Sequence, residues 1–455
     1  MARVAVVSVA AGGGHKTAMV SIARTLSEHA PTLEVECFES TVESLDALHR
    51  NSYTFNEGFY DALYKAGDLK VVQDVSSMFL SSIVKEVADE FRSAMLSGNY
   101  DTIISTHFVQ TFAMLKLREE LGSSVKILAY IPDFDESTVH FAAYKGTRPD
   151  AAIAQSPRFL AKLNRRLGVP RNALHQAGYI TRPEFTAVRD ITKKEALKRV
   201  ATLPFAGAST IVPGKRTFVA AGGSFWVSEI YKEIRQLGES ANFQWDNAQI
   251  LVVCGNNEDA YHDYMRLQES LSEKNKAVCI VPLPFLNAEQ LAAVYRASDT
   301  VMLSGIAPAT LYELIEAQAG QPVIRRVNPG PERFNLKYIL DHNLAIYSPA
   351  SDDFLSLITN FSQFPDVVDK YNIEHGIAAE RERGFAQRRA KSMATFIENL
   401  ATNNINDGYR IAPRYSLGST LMRNFGKAGF RKSSTTAQYI SMFLSRSTSP
   451  TRRTI

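Results

Sequence analysis

Two successive alternations of short apolar runs with longer amphipathic stretches constrain this sequence more than any other feature. The first starts at Val4-Ala5-Val6-Val7-Ser8-Val9, breaks at Gly12-Gly13-Gly14 and passes into a helical pattern over 17–26. Further apolar runs at 33–38, 102–105, 125–131 and 151–154 read as strands, with helical patterns over 75–95 and 109–121 between them. Ser156-Pro157 then has the form of an N-cap with proline at the first helical position. The second alternation has strand-like runs at 217–221, 249–253, 277–281, 300–303 and 322–324. Helical patterns at 228–237, 260–271, 288–297, 309–319 and 333–340 separate them. Strands alternating with helices predict parallel sheets covered on both faces, so the expected class is α/β, with two facing Rossmann-like doubly wound domains and a cleft between them.

The expected boundaries follow from this pattern. Residues 1–185 form one domain and 186–350 a second, with the linker around Gly178–Pro183 and a charged helix at 193–199. Residues 351–400 read as helices packing across both domains. Residues 401–455 differ in kind: nine basic residues stand against the single acid Asp407, which leaves the rest of the chain mildly acidic. Such a tail is an appendage with its own partner. Its interspersed Leu417, Leu421, Phe425, Phe430 and Phe443 suit an anionic membrane surface. Its Ser and Thr content equally suits a solvated tail, and its charge suits nucleic acid or an acidic protein.

Composition removes several classes. At 45% hydrophobic and 22% charged, 455 residues can bury large cores. Cys37, Cys254 and Cys279 form no CxxC pair and lie in apolar runs, so buried thiols in a reducing compartment are expected. No apolar stretch is long enough to span a bilayer, and Met1 leads almost directly into a strand. The expected location is therefore the cytoplasm, with peripheral attachment to a membrane through the tail.

The turn Ala10-Ala11-Gly12-Gly13-Gly14-His15-Lys16-Thr17 carries the first chemistry. Glycines between a strand and a helix let backbone approach a ligand, and the helix start directs N–H groups toward it. His15 breaks the Gly-Lys step of a Walker A loop, and Thr17 stands where GxGxxG needs its third glycine, so neither motif is present. His15 is either a general base at the mouth of the cleft or a structural histidine.

With strand before and helix after, Gly12-Gly13-Gly14-His15 resembles the opening of the GT-B glycosyltransferases that add sugars to lipids. These are the monogalactosyldiacylglycerol synthases and the processive diacylglycerol glucosyltransferases. Ile103-Ile104-Ser105-Thr106-His107, Pro132-Asp133-Phe134, Gly178 to Phe185, Ala221-Gly222-Gly223-Ser224, Val253-Cys254-Gly255-Asn256-Asn257 and Pro329 to Asn335 are similar to that family's motifs in the same order, over residues 1–345. The resemblance implies an inverting transfer of a hexose from a nucleotide sugar, UDP-glucose or UDP-galactose, to a lipid acceptor such as diacylglycerol. It implies no cofactor and no metal. Alternatives within the fold are a nucleotide-sugar 2-epimerase, a transferase to a soluble or nucleic-acid acceptor, and an inactive nucleotide-sugar-binding protein.

Carried over residue by residue, the resemblance makes His15 and Asp133 catalytic. Gly13, Gly14, His107 and Tyr60 would contact the acceptor, Tyr60 lying in an aromatic-rich segment that also reads as core. Gly222, Gly223 and Ser224 would meet the diphosphate, with Asn256 nearby and Phe285 beside the base. Thr310 and Glu313 would serve the phosphate and ribose, and Glu332 and Asn335 would read the sugar. The segment Ser304-Gly305-Ile306-Ala307-Pro308-Ala309-Thr310 lacks the family's lysine and has proline where an N–H could meet phosphate.

Overall fold

The computed structural model describes residues 1–9, 13–42, 80–134, 148–178, 181–205, 207–222, 226–327 and 331–402. Among them are two six-stranded sheets in which every pairing is parallel. The first holds β1 (Ala2–Val9), β2 (Leu33–Ser40), β3 (Thr102–Ser105), β4 (Lys126–Ile131), β5 (Ala151–Ala154) and β6 (Leu174–Gln176) in the order β2-β1-β3-β4-β5-β6. The second holds β7 (Arg216–Ala221), β8 (Ala248–Val253), β9 (Ile280–Leu283), β10 (Thr300–Ser304), β11 (Gln321–Arg326) and β12 (Ile346–Tyr347) in the order β12-β11-β10-β7-β8-β9. These are the two Rossmann-like doubly wound sheets expected from the alternating pattern, as the resemblance to GT-B enzymes also implies.

Residue alternation explains why each sheet is buried twice. Along β1, Val4 and Val6 join one apolar cluster while Ala5, Val7 and Val9 join the cluster on the opposite face. In the second sheet, Phe218, Ala220, Ile250 and Val252 face one way, and Val219, Ala221, Leu251 and Val253 face the other. Successive side chains of a strand point to opposite faces, so near-continuous apolar runs are what a two-sided sheet requires. Each fully buried Val, Leu, Ile or Phe contributes roughly 1.5–3 kcal/mol.

The strand expected at 277–281 begins three residues later. It includes Pro282, which an edge strand tolerates because its missing N–H costs no interior ladder bond. The edge strands β6 and β12 span only three and two residues and have no apolar run to reveal them. Cys37 corrects the expectation of buried thiols: it is exposed because β2 is the edge of its sheet, whereas Cys254 and Cys279 are buried.

One helix ties the lobes together. Pro365–Ala401 runs 37 residues, about 55 Å. Val368, Ala379 and Ala386 belong to cores of the second lobe, while Met393, Ala394, Phe396, Ile397, Leu400 and Ala401 belong to the core under the first sheet. The connection between lobes passes close beneath it: a Cβ added to Gly178 would lie 2.2 Å from the Ala386 carbonyl oxygen. No described helix is long and apolar enough to cross a membrane.

Candidate active site

In a doubly wound sheet the crevice opens at the carboxyl ends of the strands where the winding reverses. In the first sheet that point lies between β1 and β3, and in the second between β7 and β10. The helix leaving the first point is Gly13–His29, and the one following β10 is Pro308–Glu316. These two helices pack against each other, so the two switch points are brought together.

At the first switch point, Gly13 opens its helix, and a Cβ at Gly14 would meet nothing within 4 Å. His15 follows, half-buried, with Nδ1 2.8 Å from the Thr106 carbonyl oxygen beyond β3. A carbonyl only accepts, so Nδ1 carries the proton and Nε2 is the basic nitrogen of the neutral ring. The His15 and His107 rings meet edge to face, with centroids 4.8 Å apart. His107 is the N-cap of the Phe108–Leu121 helix, and its Nδ1 accepts from the Val109 N–H at 3.3 Å. The sequence thus brings together His15, Gly14 and His107.

Asp133 follows β4 and faces the other lobe. Its Oδ1 accepts from Asn335 Nδ2 at 3.1 Å; the same amide nitrogen donates to the Ile306 carbonyl at 3.3 Å, and Asn335 Oδ1 accepts from the Phe134 N–H at 3.0 Å. Asn335, expected at the sugar, has no exposed surface and in this arrangement clips the lobes. Glu332, one turn earlier, accepts from the Ile306 N–H at 3.1 Å. Phe134 stacks on Tyr338 at 3.9 Å, and the hydroxyls of Tyr338 and Tyr312 both donate to Glu382 Oε1 at 2.7 Å. Burial, followed by the nearby Glu382 charge, pushes the Tyr338 phenol well above its ordinary range.

The remaining expected donor residues lie at strand ends of the second lobe. Gly222 is buried just after β7, Asn256 is exposed beyond β8, and Phe285 is 65% exposed beyond β9. An exposed aromatic ring there is a ready stacking surface. Gly305, with φ +142°, makes the turn from β10 toward the Pro308–Glu316 helix, whose first turn holds half-buried Thr310.

Glu313 is 5% exposed, and its Oε1 receives both Nη2 of Arg182, at 2.7 Å, and Nε, at 3.2 Å. Burial raises its pKa against the opposing effect of the Arg182 charge. The carboxylate expected at a ribose is therefore held by the interlobe connection, whose Arg182 also lies over the Phe185 ring at 4.9 Å. Gly223, Ser224 and Tyr60, together with the tail from residue 403, lie outside the described residues. Among the described residues no group of three or more His, Cys, Asp or Glu could hold a metal ion.

Sequence reasoning missed four participants. Arg182 was visible only as a member of the linker motif, and nothing local announced its partner 131 residues away. Phe134 was visible only as the last residue of the Pro132-Asp133-Phe134 motif, and Tyr338 only as part of the helical pattern over 333–340. Glu382 looked like one charge among many on a helix, although it is 3% exposed and accepts from two phenols.

No family model and no curated protein matches the sequence. Solved structures do share its fold. A glycosyltransferase from Rickettsia africae superposes with a TM-score of 0.53 at 11% identity, over 89% of this chain and 99% of that one. A trehalose 6-phosphate synthase from Burkholderia multivorans gives 0.52 at 13% identity, over 89% and 99%. A UDP-N-acetylglucosamine 2-epimerase candidate from Listeria monocytogenes gives 0.52 at 12% identity, over 84% and 95%. The chain has the GT-B fold.

Proposed function

We propose that this protein is an inverting glycosyltransferase that moves a hexose from a nucleotide sugar, UDP-glucose or UDP-galactose, to a lipid alcohol such as diacylglycerol. The observation that carries the reading is the meeting of the two switch points, with His15 held by the Thr106 carbonyl so that Nε2 is its basic nitrogen. The order of motifs along the sequence supports it, as does the fold shared with solved glycosyltransferases.

The chemistry follows from that placement. His15 Nε2 takes the proton of the acceptor hydroxyl as its oxygen attacks the anomeric carbon. The bond from that carbon to the diphosphate breaks, the configuration inverts, and the nucleoside diphosphate leaves carrying the electron pair. The turn at Gly222 and the first-turn N–H groups of Ala309 and Thr310 in the Pro308–Glu316 helix would meet the growing phosphate charge. Phe285 would stack on the base. Glu313 would receive the ribose hydroxyls only after Arg182 releases it. The basic tail would hold the protein on an anionic cytoplasmic membrane surface by charge.

The test is release of UDP from UDP-glucose and UDP-galactose, with and without diacylglycerol in anionic vesicles. Vesicle-dependent release that falls at least a hundredfold in His15→Ala is the expected result. No turnover of any nucleotide sugar by the wild-type protein overturns the reading.

A further inference from the structure

We propose that Glu382 is a positioning residue of this site. One of its carboxyl oxygens fixes the helix carrying Thr310 and Glu313 relative to the helix carrying Glu332 and Asn335. Through the ring of Phe134 it also seats the first lobe's Asp133 against them. This rests on the transferase reading above.

Three separate segments converge on that oxygen. Tyr312 stands beside Glu313 in the helix Pro308–Glu316. Tyr338 lies one turn beyond Asn335 in the helix Pro331–Asp341. Both hydroxyls donate to Glu382 Oε1 at 2.7 Å, and Glu382 belongs to a third element, the long helix Pro365–Ala401. The first lobe joins them at the end of β4. Phe134 stacks on Tyr338 with ring centroids 3.9 Å and planes 8° apart, and its centroid lies 6.2 Å from that of Tyr312. His342 stacks on Tyr338 as well, at 4.0 Å, so the phenol ring is held on both faces. Asp133 immediately precedes Phe134, and its place follows from that stack.

The chemistry of the shared oxygen makes it a fixed reference. Each phenol has one proton to give, and both are given to the same atom; an oxygen that accepts twice carries no proton of its own. Hydrogen bonds to a carboxylate are shorter and stronger than neutral ones. Burial, followed for Tyr338 by the Glu382 charge and for Tyr312 by Tyr338 and then Glu382, pushes both phenols well above their ordinary range. Both therefore remain donors at neutral pH. Glu382 and Tyr312 are buried, so sliding either helix would strand a polar group without water to replace its partner.

Packing alone does not call for these groups. Two phenylalanines and a leucine would fill the same space with no buried charge, and such replacements are often neutral or stabilising. What a carboxylate and two hydroxyls add is direction, because each bond is made at one distance and one angle.

Tyr312→Phe and Tyr338→Phe each keep the ring and remove one bond, and Glu382→Gln keeps the shape while removing the charge. UDP affinity by calorimetry, kcat and KM with UDP-glucose, and melting temperature would be measured for all three. Tyr312→Phe should weaken UDP about tenfold and raise KM with kcat kept, since it loosens the helix of Thr310 and Glu313. Tyr338→Phe should lower kcat about tenfold with UDP affinity unchanged, since it loosens the seat of Phe134 and Asp133. Glu382→Gln should show both effects in one protein. Wild-type affinity and kinetics in all three variants overturn the proposal. So does a loss of the same form in both tyrosine variants that tracks melting temperature, since that is packing alone. A wild-type protein that binds UDP but transfers nothing sinks the transferase reading, and the proposal then stands or falls on UDP affinity. Weakening in Tyr312→Phe and Glu382→Gln but not in Tyr338→Phe supports it, and equal affinities overturn it. A wild-type protein that binds no UDP overturns both.

Discussion

Asn335 and Asp133 meet across the lobes at 3.1 Å, and the same Asn335 amide closes on the Phe134 N–H and the Ile306 carbonyl. A side chain with no exposed surface and three bonds to two lobes is a clip. Its removal strands a buried N–H and a buried carbonyl, each costing about 1–3 kcal/mol when left unpaired.

Asn335→Ala should therefore lower the melting temperature by several degrees. Asn335→Asp should be worse at neutral pH, because it sets a second carboxylate against Asp133, and should recover relative to Ala as pH falls toward 4 and one carboxyl protonates. Thermal melts of both variants at pH 7.5 and 4.5 check this. Equal melting temperatures for Asp and Ala at both pH values would rule out the Asp133 contact.

The fold was legible because its signal is local. Runs such as Val4–Val9 and Ala248–Val253 are apolar on both faces, which only a covered parallel sheet needs. The first half of the site was legible for the same reason: Gly13, Gly14 and His15 are contiguous, and Thr106-His107 ends a recognisable strand. Asn335 and Glu313 were legible as polar groups at helix starts but not in what they touch. Their partners, Asp133 and Arg182, are 202 and 131 residues away, and no pattern along the chain encodes a contact that exists only once two lobes have docked.

Arg182 and Glu313 form the second interlobe tie, with side chains 28% and 7% exposed. Breaking a largely buried pair from one side leaves the other charge uncompensated. Arg182→Ala and Glu313→Ala should each destabilise by about 2–3 kcal/mol. The double variant should cost clearly less than their sum, because the stranded charge disappears. Urea denaturation of the four proteins measures the coupling, and additive losses would mean that the pair contributes nothing.

Gly178 lies where the interlobe connection passes under the long helix. Alanine there would put Cβ 2.2 Å from the Ala386 carbonyl oxygen and 2.8 Å from Arg389 Cβ, both on that helix. A backbone carbonyl and a Cβ fixed to the same helix leave no flexible group to yield, so overpacking of about 1–3 kcal/mol is expected. Gly14→Ala is the control, since it meets nothing within 4 Å. A lowered melting temperature for Gly178→Ala and little change for Gly14→Ala is the expected pair of results. A Gly178→Ala protein as stable as wild type would contradict this packing.

One half-buried and one buried histidine set the acid limit of the fold. His175 stacks on Phe396 at 5.1 Å and pairs with Ser392 at 3.2 Å; burial, then the Arg389 charge, lowers its pKa to about 4. His375 is 3% exposed with no partner at Nδ1, and burial, then Lys193, lowers it likewise to about 4. Both values lie below the ordinary 6.5, so between about pH 6.5 and 4 the unfolded chain binds more protons than the folded one. Stability then rises with pH across that window. It is fully present above 6.5 and is lost as pH falls toward 4. His375→Leu, which puts an apolar group of similar size in the same buried place, should flatten the slope by up to half without lowering stability at pH 5. Urea midpoints at pH 7.5, 6 and 5 for both proteins decide the matter. A wild-type midpoint that does not move across this range would mean that neither ring is held neutral by the fold.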